Sequence, residues 1–154
     1  MLATDVLMKN HRSILDLFDR YRRASRGDHR KKKELFERIK RAVRLHLCLE
    51  EEMLYPAMTR TPSPEAGRAL DGVLQEHLFI DDALSSLSRM RPQDRDYDAL
   101  VATLRRRVED HLRLEQSGPY GEIRRALKRE ALEKLGARIS ARIDLLARVA
   151  LPLS

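Results

Sequence analysis

The chain has 154 residues, of which 42% are hydrophobic and 36% charged, with 31 Lys and Arg against 24 Asp and Glu. This length suits one domain, and the apolar content is too high for a disordered chain. Trp is absent, and Ala, Leu, Arg, Glu and Lys dominate, which favours helices. The net charge of +7 is spread along the chain, so we do not expect a nucleic-acid partner on charge alone.

The chain contains one cysteine, Cys48, which excludes an intramolecular disulfide. It shows neither a charged-then-apolar leader nor an apolar run of membrane-spanning length. We therefore expect a soluble protein in the reducing cytoplasm, without a membrane partner.

The first two predicted helices span about 4–23 and 28–59. Thr4 and Asp28 are suitable N-cap residues for them, and Pro56 should bend or stop the second helix. Each helix carries apolar residues at alternating steps of three and four, which is typical of a side that faces a core. One His lies in each of these apolar stripes, His11 in the first and His46 in the second.

The next two helices repeat this plan. Ser63 as N-cap and Pro64 as first residue predict the start of the third helix, which should end at Arg91-Pro92. The fourth should run from about 93 or 94 to a break at 117–119. His77 and His111 lie in their apolar stripes.

A last helical segment is predicted over about 120–150, with a bend at Gly136 and no metal-type donors on its apolar side. We therefore predict an all-α fold, an antiparallel up-down four-helix bundle with an additional C-terminal helix. It should form a single domain over 1–154, with the bundle at about 4–117.

A repeated segment follows the second and fourth His. His46 and His111 are each followed by Leu, an unmatched residue, Leu and Glu, and a Tyr comes nine residues after the His. Glu50 and Glu115 therefore lie one helical turn from their His, on the same side of the helix.

The spacing of the four His predicts that they meet at one level. In antiparallel neighbours, two residues lie at the same height when the turn falls at their midpoint. The midpoints of successive His fall near residue 28, between 61 and 62, and at 94, and each is a predicted break. Both Glu should lie roughly 6 Å further along their helices.

A single His in an apolar stripe is ordinarily a core residue with an ordinary hydrogen-bond partner. Four imidazoles and two carboxylates in one apolar interior would be costly to bury, and bound metal offsets that cost. The donors suit iron, manganese or zinc, and six ligands suit two ions better than one tetrahedral zinc. The predicted metal ligands are His11, His46, Glu50, His77, His111 and Glu115.

The repeat suggests how these ligands divide. We expect His11 with His46 at one ion and His77 with His111 at the other, with both Glu and an oxide or hydroxide as bridges. Each ion would keep an open position for a small molecule.

Five residues flank these ligands. Tyr55 and Tyr120 are candidates to line the metal cavity, although packing at the core boundary is the favoured interpretation. Asn10 and Glu76 each precede a ligand His, and a helical neighbour points about 100° away, so they are expected on the flank. Glu51 is expected on the solvated surface.

Two basic runs, at 30–33 and 105–107, are interpreted as solvated faces, with a docking partner or anion as the alternative. No groove-reading motif, P-loop, dinucleotide fingerprint or nucleophilic triad is visible. Whether the protein is an enzyme, and its oligomeric state, stay open.

These residues resemble the hemerythrin-like, or HHE cation-binding, family. The matching elements are His11 in Lys-Asn-His-Arg, His46 and Glu50 followed by Tyr55-Pro56, His77 in Gln-Glu-His, His111 with Glu115, and the tail over 130–142. The resemblance covers nearly the whole chain. It implies a non-haem di-iron centre, two iron ions with an oxo or hydroxo bridge, for which manganese or zinc could substitute.

The resemblance also implies a function. We expect a protein that binds or reacts with O2, NO or peroxide in stress response, sensing or iron-centre repair; a reversible O2 or iron carrier without turnover is the alternative, and a metal-free scaffold a third. The ligand set is closest to bacterial di-iron proteins of iron–sulfur-centre repair, whose cysteine-bearing N-terminal region is not seen here. Oxygen-carrying hemerythrins use a fifth His, whereas His29 lies at a predicted turn and is expected in solvent.

Overall fold

Apolar side chains spaced by three and four residues pack four long helical stretches side by side. The computed structural model describes residues 1–149, which contain helices and no strand. The elements are α1 (Ala3–Arg23), α2 (His29–Leu49), a π-helical segment (Glu50–Leu54), α3 (Tyr55–Thr59), α4 (Pro64–Arg68), α5 (Val73–Ser88), α6 (Tyr97–Ser117), α7 (Pro119–Ala126) and α8 (Arg129–Val149).

The predicted fold is confirmed. The four stretches that form the bundle are α1, α2 with its continuation through α3, α5 and α6, and α8 is the additional C-terminal helix. The predicted limits at 150 and 154 lie outside the described residues. In the part of the chain that is described, no helix combines the length and the apolar character needed to cross a membrane.

Two of the three predicted N-caps are confirmed. Asp28 Oδ1 accepts the backbone N–H of Lys31 at 3.0 Å, and Ser63 Oγ accepts that of Ala66 at 3.3 Å. Both side chains satisfy one of the free N–H groups of a first turn.

The third predicted cap was wrong. Helix α1 begins at Ala3, so Thr4 lies inside its first turn. The Thr4 hydroxyl is fully buried and accepts a hydrogen bond from Nε of Arg124 in α7, at 2.8 Å. The side chain therefore joins two helices and does not cap one.

The second bundle helix ends at Thr59, as predicted, and Pro56 lies inside its last segment. The helical hydrogen-bond pattern changes in the turn before the proline. The N–H of Tyr55 donates to the carbonyl of Glu50, five residues earlier and not four. Proline has no N–H to donate, and a π-helical turn accommodates the missing bond without ending the helix. Such turns often occur at functional sites, and this one starts at a predicted ligand.

Other predicted limits move by several residues. The third helix is divided into α4 and α5 by a turn in which Gly72 has φ 81°, a left-handed conformation that glycine adopts readily. Helix α5 ends at Ser88 and α6 begins at Tyr97, so the connection is longer than predicted. The C-terminal segment is divided at Leu127, which is extended.

Gly136 does not interrupt α8, which is unbroken from Arg129 to Val149. It lies instead where α8 crosses the start of α1. A Cβ at this position would overlap the carbonyl oxygen of Met1 and lie 3.0 Å from the backbone N of Ala3. Absence of a side chain thus permits close packing of the two helices.

The interior contains two apolar clusters with a polar layer between them. One includes Phe18, Phe36 and Leu104, and the other includes Leu54 and Ile123. On α1, α2 and α5 the predicted His lies between residues of the two clusters; on α6, His111 lies near the end of the first cluster, and the second resumes at Tyr120 of α7. The fold therefore brings the four His to one level, between two dry regions.

Candidate metal centre

The polar layer consists of the six predicted ligands, contributed by α1, α2, α5 and α6 and by the first residue of the π-helical segment. None of them exposes more than 3% of its surface. They are His11, His46, Glu50, His77, His111 and Glu115. The helical spacing of four places each Glu beside the His one turn earlier, as predicted.

The first half of the layer joins α1 and α2. Nε2 of His11 and Nε2 of His46 are 3.0 Å apart. Oε1 of Glu50 lies 3.1 Å from His46 Nε2. Oε2 of Glu115 lies 3.5 Å from Nε2 of both His.

The second half joins α5 and α6 in the same way. Nε2 of His77 and Nε2 of His111 are 3.1 Å apart, and Glu115 Oε1 lies 2.9 Å from His111 Nε2. Glu50 Oε1 lies 3.5 Å from His77 Nε2 and 3.7 Å from His111 Nε2.

Each half forms a group of four donors, and both carboxylates belong to both groups. Within each group the donor atoms all lie within 4.8 Å of one another. Two overlapping His/Glu groups are consistent with a dinuclear metal site. The division into His11/His46 and His77/His111 is the one that the repeat suggests, and the ligand role of each residue stays a prediction.

The donor spacing fits metal ions. Two donors bonded to one ion at about 2.1 Å, and about 90° apart, are separated by about 3.0 Å, close to the separation of each His pair. Oε1 of Glu50 is buried within ion-pair distance of three imidazoles, but it accepts no hydrogen bond from the described residues. A buried, unsatisfied carboxylate oxygen facing several imidazoles is costly in a protein core, and a shared cation would satisfy it.

The two buried carboxylates favour the protonated form of three of the four imidazoles. Burial opposes the charged form of the imidazoles, but Glu50 and Glu115 outweigh it and raise the pKa of His46 and of His77 to about 9. They raise the pKa of His111 to about 11. Burial lowers the pKa of His11. Metal binding at these nitrogens would therefore release protons.

Two tyrosines project their hydroxyls into the layer. Tyr55 Oη donates to Glu115 Oε1 at 2.8 Å and lies 3.2 Å from His77 Nε2. Tyr120 Oη donates to Glu50 Oε2 at 3.0 Å and lies 2.9 Å from Nε2 of His11.

Burial, followed by the charges of Glu50 and Glu115, raises the pKa of both phenols well above 10. The two hydroxyls therefore keep their protons. Packing at the core boundary, the favoured interpretation of Tyr55 and Tyr120, describes their buried rings but misses these contacts.

Asn10, Glu76 and Glu51 lie on the flank and the surface, as expected, but their side chains also contact the outer nitrogens of the predicted ligands. Nδ1 of His46 lies 2.9 Å from Asn10 Oδ1. Asn10 precedes His11 on α1 and lies at the boundary with α2, so its side chain reaches the imidazole of His46.

Two acidic side chains contact the imidazoles of the His77/His111 half. Nδ1 of His111 lies 2.7 Å from Glu76 Oε2, and Nδ1 of His77 lies 2.9 Å from Glu51 Oε1. Glu51 does reach solvent, with 44% of its side chain exposed. Such contacts place the proton on Nδ1 and leave Nε2 free to bind metal. Adjacency to a ligand was the sequence signal for all three residues.

The remaining candidates lie outside the layer. His29 is exposed, as expected, and Cys48 is a half-buried free thiol that belongs to neither donor group. The basic runs are not wholly solvated, because Lys32 is buried and pairs with Asp98 at 2.8 Å. Arg105 similarly pairs with acidic side chains of α1 and α6.

The fold and site define a helical-bundle protein with two overlapping His/Glu metal-binding groups. The sequence matches the family model described as Hemerythrin HHE cation binding domain over residues 2–123. The chain therefore belongs to the hemerythrin HHE cation-binding domain family.

A solved structure shares this fold. It is the hemerythrin HHE cation binding domain-containing protein, Rv2633c homolog, from Mycobacterium kansasii, which is similar with a TM-score of 0.82 and 23% sequence identity. The similarity covers 98% of this chain and 90% of that one. No curated protein matches the sequence significantly.

Proposed function

We propose that the protein is a non-haem di-iron protein that reacts with O2, NO or peroxide in stress response, sensing or iron-centre repair. One observation carries the proposal: six buried donors form two four-donor groups that share both carboxylates. Family membership supports a cation as the occupant. Imidazole and carboxylate donors suit iron, and manganese or zinc could substitute.

The residues of this chain would hold the ions and control their surroundings. His11 and His46 would hold one ion, His77 and His111 the other, and Glu50 with Glu115 would bridge them. When bound, a pair of iron ions supplies redox chemistry and open positions for a small molecule. Apolar clusters on both sides of the layer limit access of bulk water.

The two phenols favour a protein that reacts with its small molecule over one that only carries it. Tyr55 and Tyr120 place protonated hydroxyls within 3.3 Å of the bridging carboxylates and of two imidazoles. Each phenol holds an O–H donor that can stabilise charge developing on a small molecule through a hydrogen bond. A reversible carrier of O2 or iron remains the alternative, and repeated turnover distinguishes it.

The test is rapid mixing of the iron-loaded protein with O2, NO and peroxide, followed optically. We expect Tyr120→Phe to slow reaction with at least one of these molecules by about 10²-fold or more, the usual contribution of a positioned hydrogen-bond donor. Tyr21→Phe is the matched control, because Tyr21 is also buried and donates a hydrogen bond to Asp98 at the other end of the bundle.

Two results would contradict the proposal. Recovery of the original spectrum through many cycles of oxygenation and deoxygenation would indicate the carrier. No optical change with any of the three molecules would remove both functions.

A further inference from the structure

The two halves of the metal centre differ in what their imidazoles contact on the outer side. His77 and His111 both direct Nδ1 at a carboxylate, Glu51 at 2.9 Å and Glu76 at 2.7 Å. His46 directs Nδ1 at the uncharged amide of Asn10, at 2.9 Å.

The fourth imidazole has no outer partner. Nδ1 of His11 is buried and makes no hydrogen bond within the described residues. In the repeat, Gln116 follows Glu115 as Glu51 follows Glu50, so Gln116 stands where the partner of His11 would be. Its side chain lines the same surface recess as His11 but makes no such bond. One half of the centre therefore has two anionic partners, and the other has one neutral partner.

Outer partners affect how strongly an imidazole binds metal. An acceptor at Nδ1 fixes the ring orientation and the tautomer with a free Nε2, and a carboxylate there also raises the basicity of the ligand. Loss of one such partner typically costs 10–100-fold in metal affinity. When His11 binds metal through Nε2, its proton lies on Nδ1. This Nδ1–H is buried without a hydrogen-bond partner among the described residues, which adds a further cost to metal binding at His11.

We propose that the two metal positions are inequivalent, and that the His77/His111 position binds its ion first and more tightly than the His11/His46 position. This inference rests on the proposed di-metal function. Because both carboxylates serve both positions, the difference arises from Glu51 and Glu76. These two acids are positioning residues, since they act on the metal only through the imidazoles.

The test is a titration of the metal-free protein with Zn²⁺, followed by NMR of the imidazole nitrogens of the five His residues. Zn²⁺ is diamagnetic and binds imidazole well, so each ring reports its own occupancy. We expect the Nε2 signals of His77 and His111 to change over the first equivalent and those of His11 and His46 over the second. The exposed His29 should stay unchanged. Calorimetry should show two steps that differ about tenfold or more in affinity.

Variants test the cause. Glu76→Gln should weaken the first step about tenfold and bring the two steps together. Asp110→Asn is the matched control. It also removes one negative charge beside His111 in the sequence, but the exposed carboxylate of Asp110 pairs with Arg113. Asn10→Asp should strengthen binding at the His11/His46 position, which provides a second test if the first variant folds poorly.

The outcomes separate the inference from the function. If no ligand nitrogen responds to Zn²⁺, the di-metal function and the inference both fail. If all four respond together, or His11 and His46 respond first, the inference fails while the function stands. If Glu76→Gln and Asn10→Asp behave like the wild type, the outer acids are not the cause and the inference is overturned.

Discussion

Metal binding should raise the thermal stability of this protein by a large amount. The structure places four buried imidazoles and two buried carboxylates in one layer, and the unfolded chain has no such arrangement. At about 1,000-fold excess of ion over Kd, each position stabilises the fold by about 4 kcal/mol, or about 8 kcal/mol for both. In a domain of this size, 1 kcal/mol shifts Tm by about 2–4 °C, so we expect a rise of roughly 15–30 °C.

The assay is calorimetry of the metal-free protein with and without Zn²⁺, and the comparison is the shift in Tm within each variant. His77→Ala removes a donor from one group, so roughly half the shift should remain. Glu115→Gln changes a donor of both groups, so its shift should be smaller than that of His77→Ala. His29→Ala is the control, because His29 is exposed at the start of α2.

Either of two results would refute this reasoning. An equal shift in the wild type and in both ligand variants would place the metal elsewhere. An unchanged Tm in the wild type, at saturating Zn²⁺, would show that the layer holds no metal.

Two further predictions concern the rest of the fold. Burial opposes the charged form of Asp98, but hydrogen bonds from Lys32 and Tyr21 outweigh burial and lower the pKa of this carboxyl. The stabilisation that the Asp98 carboxylate provides is therefore complete above the ordinary pKa of 3.8. It is lost as the pH falls through the lowered pKa. Asp98→Asn should lower the free energy of unfolding by about 1–2 kcal/mol at pH 7, because Lys32 stays buried while Asp98 is half exposed. In urea unfolding, this difference between the variant and the wild type should shrink below about pH 4. A difference that stays constant with pH would contradict the assignment. Gly136→Ala should cost about 1–2 kcal/mol, since the added Cβ meets the backbone at the start of α1. Gly67→Ala, in open space within α4, should be neutral or slightly stabilising, and equal effects of the two substitutions would refute the close-packing argument.

The level at which the four His meet could be predicted from the sequence because it depends mainly on counting. The distance of His11 and His46 from the turn at Asp28 sets their heights, whatever the details of side-chain packing. The same holds for His77 and His111 about their own turn. Helical spacing then places Glu50 beside His46.

The outer partners could not be predicted in the same way. Asn10 and Glu76 lie on the flank, as expected, but only the separation and rotation of neighbouring helices decide whether their side chains reach a ring. The π-helical turn depends on how the missing N–H of Pro56 is accommodated within a continuous helix. The role of Gly136 depends on a contact with residues at the opposite end of the sequence.

The account depends most directly on the number of metal ions that the protein holds. Iron should be measured per chain after anaerobic loading and removal of free ion, together with the optical spectrum after oxidation. We expect two ions per wild-type chain with an oxo-bridge charge-transfer band, and one ion in His77→Ala with the bundle still folded by circular dichroism. A wild-type protein without iron, or a His77→Ala protein that keeps both ions, would contradict the account.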